Sequence, residues 1–420
     1  MKVVAKKEFR VNVIAYWIVA LGALFYFYEY FLRITPSVIQ PELMASFHMD
    51  ATQFGQLSAF YFYAYTPMQL VVGLLIDRFK LRNILSMATF SCVLGTYLIS
   101  ATNHYSVAEF GRFLQGFGSA FAFVGALKLA AMWLPVRRFG FFSGACAALG
   151  FFGAACGQML LTTFVEHSGW HAVLRLFAFA GILLMIALFF CVRENKNSIC
   201  HSPNIKLSFN DFFSQIIAII KLPRLWVAGI LSALMFMPTT VFAGLWGIPY
   251  LCKLHDYTRV QAGVASAMIF LGWAVGAPLQ GYISDLLQSR VRVIMVGAFI
   301  GAILSTVVLY DASLSYVTVC ALFFFFGIAS SSQVLTFAVA RDLSSAAIAG
   351  SAIAFVNTLA MVGGFVFQRG VGQVLDWNWT GEMLHGERVY SLLSYEKSVA
   401  IIPVFLCLAF VIALCFRHKK

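Results

Sequence analysis

Charge is what this chain has least of. Asp, Glu, Lys and Arg make up 11% of its 420 residues, where a soluble domain carries about a quarter. That scarcity excludes an ordinary water-facing surface. Signatures of catalysis are missing too. No Gly-x-x-x-x-Gly-Lys-Ser/Thr loop occurs, so nothing cradles a nucleotide phosphate for ATP-driven pumping. The nine cysteines stand singly, without a Cys-x-x-Cys spacing, which excludes a zinc ribbon or a thioredoxin-like redox pair. No Ser/His/Asp, paired-carboxylate or metal-hydrolase pattern stands out. The expectation is a protein that is not an enzyme and takes no cofactor and no metal. The basic residues behind the net charge of +12 are scattered between apolar runs. With no basic domain or stacking platform among them, a nucleic-acid partner is excluded.

What the chain does have is hydrocarbon. Apolar residues make up 61%, and nearly charge-free runs such as Ile294 to Leu309 and Val399 to Phe416 recur throughout. Such runs are too uniform for an amphipathic surface helix. A bilayer crossing takes about 20 residues. The pattern places spans near 11–34, 52–76, 83–102, 106–134, 139–164, 170–192, 225–250, 259–284, 291–310, 315–340, 348–374 and 398–416. The start, Lys2, Lys6, Lys7 and Arg10 followed by Val11 to Leu32, looks like a signal peptide. Its apolar run is too long for one and no small-x-small site follows, so it reads as an uncleaved first span.

Lys and Arg in the loops set the orientation. One side carries Lys2, Lys6, Lys7, Arg10, Arg78, Lys80, Arg82, Arg137, Arg138, Arg193, Lys196, Lys206, Lys221, Arg224, Arg290, Arg292, Arg341, Arg417, Lys419 and Lys420. The other carries only Lys253, Arg259, Arg388 and Lys397. The expectation is a multi-pass protein of the inner membrane with both termini in the cytoplasm.

The chain also repeats itself. The offset that carries Gly73-x-x-x-Asp77, after span 2, onto Gly281-x-x-x-Asp285, after span 8, does more. It carries Asn103–Ser106 onto Asp311–Leu314, the Pro135 loop onto Arg341–Ser345, and Ser168 onto Asp376. The expected organisation is a six-helix bundle over 1–192, a linker over 193–224 and a second six-helix bundle over 225–420. Within the linker, Phe209, Phe212, Phe213, Ile216, Ile217 and Ile220 recur at helical spacing, which predicts an amphipathic helix on the membrane surface.

Over nearly its whole length the sequence resembles the major facilitator superfamily. The resemblance is carried by Gly73-x-x-x-Asp77-Arg78-x-Lys80-x-Arg82 with its partial copy Gly281-x-x-x-Asp285, and by Arg112-Phe-Leu-Gln115-Gly116-Phe-Gly118 in span 4. Gly150, Gly153 and Gly157 in span 5 add to it. It departs where Lys80 replaces a usual Gly and where the span 5 row lacks a usual Pro. Within the superfamily, Phe25 to Arg33 and Leu245 to Tyr250 look like a bacterial subgroup that includes transporters of amino acids, peptides or siderophores. The resemblance implies an all-α fold of two pseudo-symmetric bundles, with spans 1, 4, 7 and 10 around a central cavity. It implies that Gly73, Asp77, Arg78, Gly281 and Asp285 gate the cytoplasmic side, Asp77 seated near a helix start of the opposite half. The plainer alternative is that the basic residues of the motif only set topology.

A few charges remain inside the hydrocarbon, where they are costly and usually line a wet cavity. Glu29 and Arg33 lie at i, i+4 and share a helix face, flanked by Tyr26 and Tyr30. A carboxyl in a partly dry cavity can load and release a proton, so Glu29 is the first candidate for proton coupling. The alternative is a structural ion pair. Glu109, at i, i+3 from Arg112, is the second. Arg33 and Arg112 present forks that match a carboxylate, although Arg33 can also snorkel outward. Lys128 is expected to answer a solute anion or an Asp elsewhere in the chain. Trp246 and Tyr250 on span 7, with Thr239 and Ala243 on the same helical face, Gln333 on span 10 and Asn357 on span 11 complete the expected solute-binding set. For each of these, helix packing is the competing explanation.

These readings converge on a monomeric secondary transporter. It would move a small polar solute (an amino acid, a short peptide or an organic anion) by alternating access, in symport with a proton, amid membrane lipid. The alternatives are a proton-driven exporter of a drug or siderophore and a non-transporting membrane sensor on the same scaffold.

Overall fold

A computed structural model describes residues 13–193, 217–345, 348–384 and 387–417. The basic start, Lys2 to Arg10, and most of the expected linker helix, including Phe209, Phe212, Phe213 and Ile216, lie outside the described residues. Among the described residues, twelve helices are long and apolar enough to cross a bilayer. They run Ile14–Val38, Ala51–Arg78, Leu81–Ala101, Tyr105–Trp133, Phe141–Ser168, Trp170–Cys191, Pro223–Leu254, Arg259–Leu286, Arg290–Tyr310, Tyr316–Asp342, Ala349–Trp377 and Leu392–Phe416, here spans 1 to 12. Helices suit this solvent because each satisfies its own backbone groups where no water can. The only strands among the described residues are Met383–Leu384 and Glu387–Arg388, paired antiparallel in the loop before span 12.

The repeat extends to the way helices begin. Span 2 opens on a capping box between Asp50 and Gln53, and span 8 on one between Thr258 and Gln261. The offset joining Gly73 to Gly281 carries each residue of the first box onto its counterpart in the second. Reciprocal capping supplies partners for the orphan N–H groups where the chain re-enters hydrocarbon.

Span 2 packs on span 11 and span 5 on span 8, bringing the two bundles together. Two glycines that the same offset relates sit at these contacts. A Cβ on Gly55 would lie 2.7 Å from the Gln368 carbonyl oxygen. One on Gly263 would lie 2.9 Å from Thr162 Cγ2. Further along, Cβ atoms on Gly73 and Gly281 would meet no neighbouring helix. The bundles touch near one face and part toward the face that carries the motif loops.

Spans 7 and 10 depart from α geometry in their middles. Pro238–Trp246 is a π-helix and Ser331–Val334 a 3₁₀ turn. Spans 1 and 4, their counterparts in the first half, are continuous α-helix. Irregular turns at membrane depth need other partners for the freed backbone groups. In span 7 two glutamines supply them. Gln158 of span 5 donates to the Ala243 carbonyl, and Gln368 of span 11 donates to Thr240 O at 2.8 Å.

Candidate functional site

The glycine row of span 5 sets the position of span 1. A Cβ on Gly150 would collide with Tyr26 and Tyr30 at 2.5 and 2.6 Å, and one on Gly153 with Phe27 at 2.9 Å. Small residues there let span 1 sink against span 5 with its aromatic face inward. This row of the expected motif therefore acts through packing.

On that helix Glu29 and Arg33 form a buried ion pair. Tyr61 of span 2 closes it: its hydroxyl donates to Glu29 Oε1 at 2.5 Å and accepts from Arg33 Nε at 3.3 Å. The guanidinium also lies 4.6 Å from the ring centre of Tyr30 and 4.9 Å from that of Tyr65. Aromatic faces stabilise a cation where water is excluded. Glu29 Oε2 has no partner among the described residues. Removing either charge would leave the other stranded, a cost of about 3–5 kcal/mol for a buried pair. The arrangement therefore holds charge only while both partners, or a substitute for one, are present.

Arg33 also lines a small cavity between the halves. Its other walls are Tyr30, Ile34, Phe62 and Phe151 from the first half, and Phe236, Thr239, Thr240, Gly244, Phe270 and Gln368 from the second. Its volume is about 20 Å³, room for a single water.

Several expected site residues lie elsewhere. Arg112 does not face this cavity. It is buried behind span 1, donating to Leu32 O at 2.9 Å and to Gln115 Oε1 at 2.7 Å, with its guanidinium 5.0 Å from the Tyr61 ring centre. It touches the Glu29 site only through Tyr61. The helical spacing that suggested a Glu109–Arg112 pair does not produce one. Arg112 turns inward to satisfy a carbonyl, while Glu109 stays beside Tyr105 near its helix start.

Trp246 and Tyr250 are fully buried, but away from the cavity. Trp246 donates to Gln368 O at 3.1 Å and sets its edge against Phe54 of span 2, inside the joint between halves. Tyr250 donates to the Leu309 carbonyl of span 9. The expectation assumed α periodicity, and the π segment turns everything after it about the axis. Gln333 donates to Ser232 Oγ at 2.6 Å within the second bundle. Asn357 bridges the halves to Gln69 Oε1 at 3.3 Å. Tyr26 donates to Tyr30 and packs on Phe123.

Lys128 has found its acid, and it is Asp77, at 2.7 Å. The motif carboxylate is thus paired within its own half rather than seated at a helix start of the other, because the halves have parted at this face. Asp285 is likewise held within its half, by Arg290 at 3.8 Å, and Arg290 also pairs with Asp342 at 2.7 Å. Arg78 is exposed beside Asp77.

The geometry expected of Asp77 occurs at the opposite face instead, around Asp376, the counterpart of Ser168 in the repeat. Its carboxylate, at the end of span 11, accepts from the Thr52 backbone N–H at 2.7 Å, from that of Ala51 at 3.4 Å and from the Thr52 hydroxyl. These lie at the start of span 2, where N–H groups are unpaired and an anion is favoured. Arg388 at 3.1 Å and the Tyr390 hydroxyl complete the shell. Nearby, Arg259 of span 8 pairs with Glu42, just after span 1. A signal for Gln158 and Gln368 was also present: an amide in an apolar run needs a buried partner.

Comparison with known proteins agrees with this architecture. A probable sulfoacetate transporter of Cupriavidus necator is 24% identical over 65% of both chains. A probable galactarate/D-glucarate transporter of Bacillus subtilis is 24% identical over 62% of both. The chain thus spans just under two thirds of the length of these two relatives. A membrane sensor protein of Salmonella typhimurium is 24% identical over 84% of both. Among solved structures, a bacterial homologue of the human lysosomal transporter Spinster, inward-facing and unoccupied, matches with a TM-score of 0.79 at 16% identity. That match covers 97% of this chain and 98% of that one. The fold and these relatives are those of membrane transporters and their sensor kin. The family model of the Major Facilitator Superfamily matches residues 19–368, and the chain belongs to that superfamily.

Proposed function

We propose that the chain is a secondary active transporter that carries a small organic anion together with a proton across the bacterial inner membrane by alternating access. The observation that carries this reading is the buried Glu29–Arg33 pair at the edge of the cavity between the halves. With Glu29 ionised the pair is neutral and Arg33 is occupied. When Glu29 takes up a proton, Arg33 loses its counter-ion and a solute anion takes that place. The site then stays neutral only if proton and anion load together, because an unpaired buried charge is strongly disfavoured. Tyr61, bonded to both partners, passes its hydrogen bond to whichever acceptor is present. Arg112 positions Tyr61 from behind. Two of the relatives are named for transport of organic anions, which favours that solute class over a peptide or a lipophilic cation.

In this reading both termini lie in the cytoplasm and the motif face is the cytoplasmic one, so the conformation is open inward. Closing that face would move Asp77 from Lys128 to the start of span 11. The geometry of Asp376 against span 2 supports this, since the same two helices meet there end to start. Import by symport is favoured over export.

Uptake into proteoliposomes under an imposed pH gradient tests the coupling, with radiolabelled sulfoacetate and galactarate as probes. Glu29→Gln should abolish accumulation driven by the gradient while sparing solute exchange. Gradient-driven accumulation that survives unchanged in Glu29→Gln would sink the proton role. Arg33→Lys should weaken anion affinity by about tenfold or more, since the fork and the aromatic stacking are both lost. The similarity to a membrane sensor favours a second reading, a receptor for the same anions. Anion binding without any transport, in the same vesicles, would support it.

A further inference from the structure

The cavity beside Arg33 is charged on one side only. On the side of the second half it presents two polar groups with no partner among the described residues, Thr239 Oγ1 and Gln368 Oε1. Both residues are more than nine-tenths buried. A buried polar atom left unpaired is uncommon enough to need a cause.

Neither group is idle by accident of geometry. A threonine in a helix ordinarily turns its hydroxyl back to the carbonyl four residues earlier. The adjacent Thr240 does so, donating to Phe236 O at 3.1 Å. Thr239 leaves its hydroxyl free. Gln368 is fixed at two points: its side-chain N–H donates to Thr240 O at 2.8 Å, and its backbone carbonyl accepts from Trp246 Nε1 at 3.1 Å. The first of these bonds fixes the amide orientation and leaves Oε1 as the free end. The π segment makes this possible, since it provides both Thr239 and the carbonyl that anchors Gln368.

Building on the anion reading above, we propose that Thr239 and Gln368 form a hydroxyl-recognising subsite, and that the solute is a 2-hydroxycarboxylate. The carboxylate takes the place of Glu29 on Arg33. The neighbouring hydroxyl donates to Gln368 Oε1 and accepts from Thr239. The cavity has room for a single water in this conformation, so it must widen to admit the head of the solute, and its shortness favours recognised groups on adjacent carbons. An ammonium group in the same place would find neutral acceptors only and would sit against the Arg33 charge. The assignment therefore favours hydroxy acids over amino acids. It also spans the two halves, with charge read by the first and hydroxyl by the second, so only the right solute draws both together.

The test is binding to the purified full-length protein, followed by calorimetry at a pH where the carboxylates are ionised. The probes are adipate, 2-hydroxyadipate, 2-aminoadipate and galactarate, six-carbon dicarboxylates that differ in what stands next to the carboxylate. Galactarate and 2-hydroxyadipate should bind at least about tenfold more tightly than adipate, as one satisfied buried group requires. Thr239→Val should remove most of that difference and leave adipate unchanged, whereas Thr239→Ser should keep it. Equal binding of adipate and 2-hydroxyadipate would overturn the proposal while leaving the anion reading intact. So would tighter binding of 2-aminoadipate, or variants that weaken every probe alike, which marks a merely structural role. Binding of none of the four would overturn the proposal and the anion reading together.

Discussion

The two faces of this molecule are built from similar parts and stand in opposite states. At the face of Asp376, a carboxylate ending one helix is fixed by the start of a helix in the other half and by an arginine and a tyrosine. At the face of Asp77, a carboxylate in the corresponding position relative to span 11 pairs with Lys128 of its own bundle, and the groove beside Gly73 is open. The difference lies in partners, not in composition. Asp376 receives several converging donors in a half-buried setting. Asp77 and Lys128 meet in the open, with 67% and 34% of their side-chain surface accessible. Closure is therefore expected to depend chiefly on the Asp376 cluster, with the Asp77 pair a weak brake on the opposite movement.

That contrast can be broken from either side. The largest effect is expected from Asp376→Ala. Loss of several charge-assisted hydrogen bonds should shift the balance toward opening of that face by about a hundredfold, about 2.7 kcal/mol. Distances between spin labels across the face would read it, and an unchanged distribution would show that the cluster is not the lock. Next comes Gly55→Val, which forces carbon into the Gln368 backbone. A strain of about 1–3 kcal/mol is expected, seen as the same separation of labels together with a lower melting temperature.

A smaller step in the same direction, about fivefold or about 1 kcal/mol, should follow Glu42→Gln, which leaves Arg259 without its partner at a partly exposed site. Lys128→Ala should act with the opposite sign, freeing Asp77 for the other half. Its effect should stay below about 1 kcal/mol and fade as salt is raised. A shift that matched Asp376→Ala in size would mean the two faces are equally strong. Glu109→Gln is expected to change gradient-driven uptake least of all, since it lies apart from the Arg33 site.

Much of the fold was legible in the sequence because hydrocarbon imposes a length and a polarity on every crossing. The expected spans overlap all twelve, and the offset between Gly73 and Gly281 anticipated the pairing of the capping boxes. Azimuth was much less legible. Hydropathy says that Arg112 is in the membrane but not which way it faces. α spacing puts Trp246 and Tyr250 on the face of Thr239, yet the chain from Pro238 to Trp246 winds as a π-helix. Pairings across the chain were least legible. Lys128 in an apolar span needs an anion, but nothing local in the sequence points to Asp77 as that anion. Asp376 in the last turn of span 11 and Thr52 in the first turn of span 2 lie far apart in sequence, and only the packing of those two helices brings them together. Glu29 and Arg33 were visible because an i, i+4 pair in an apolar helix is a local signal.

The position of Gly55 has a mechanical consequence. It sits one turn inside span 2, packed against the Gln368 backbone of the other half, while Asp77 lies at the far end of the same helix. At 1.5 Å per residue that arm is about 33 Å long. A rotation of about 10° at the glycine would sweep the distant end through about 6 Å, more than enough to exchange one ion-pair partner for another. A fulcrum this far off centre is a lever: atomic slippage at one rim becomes a doorway at the other.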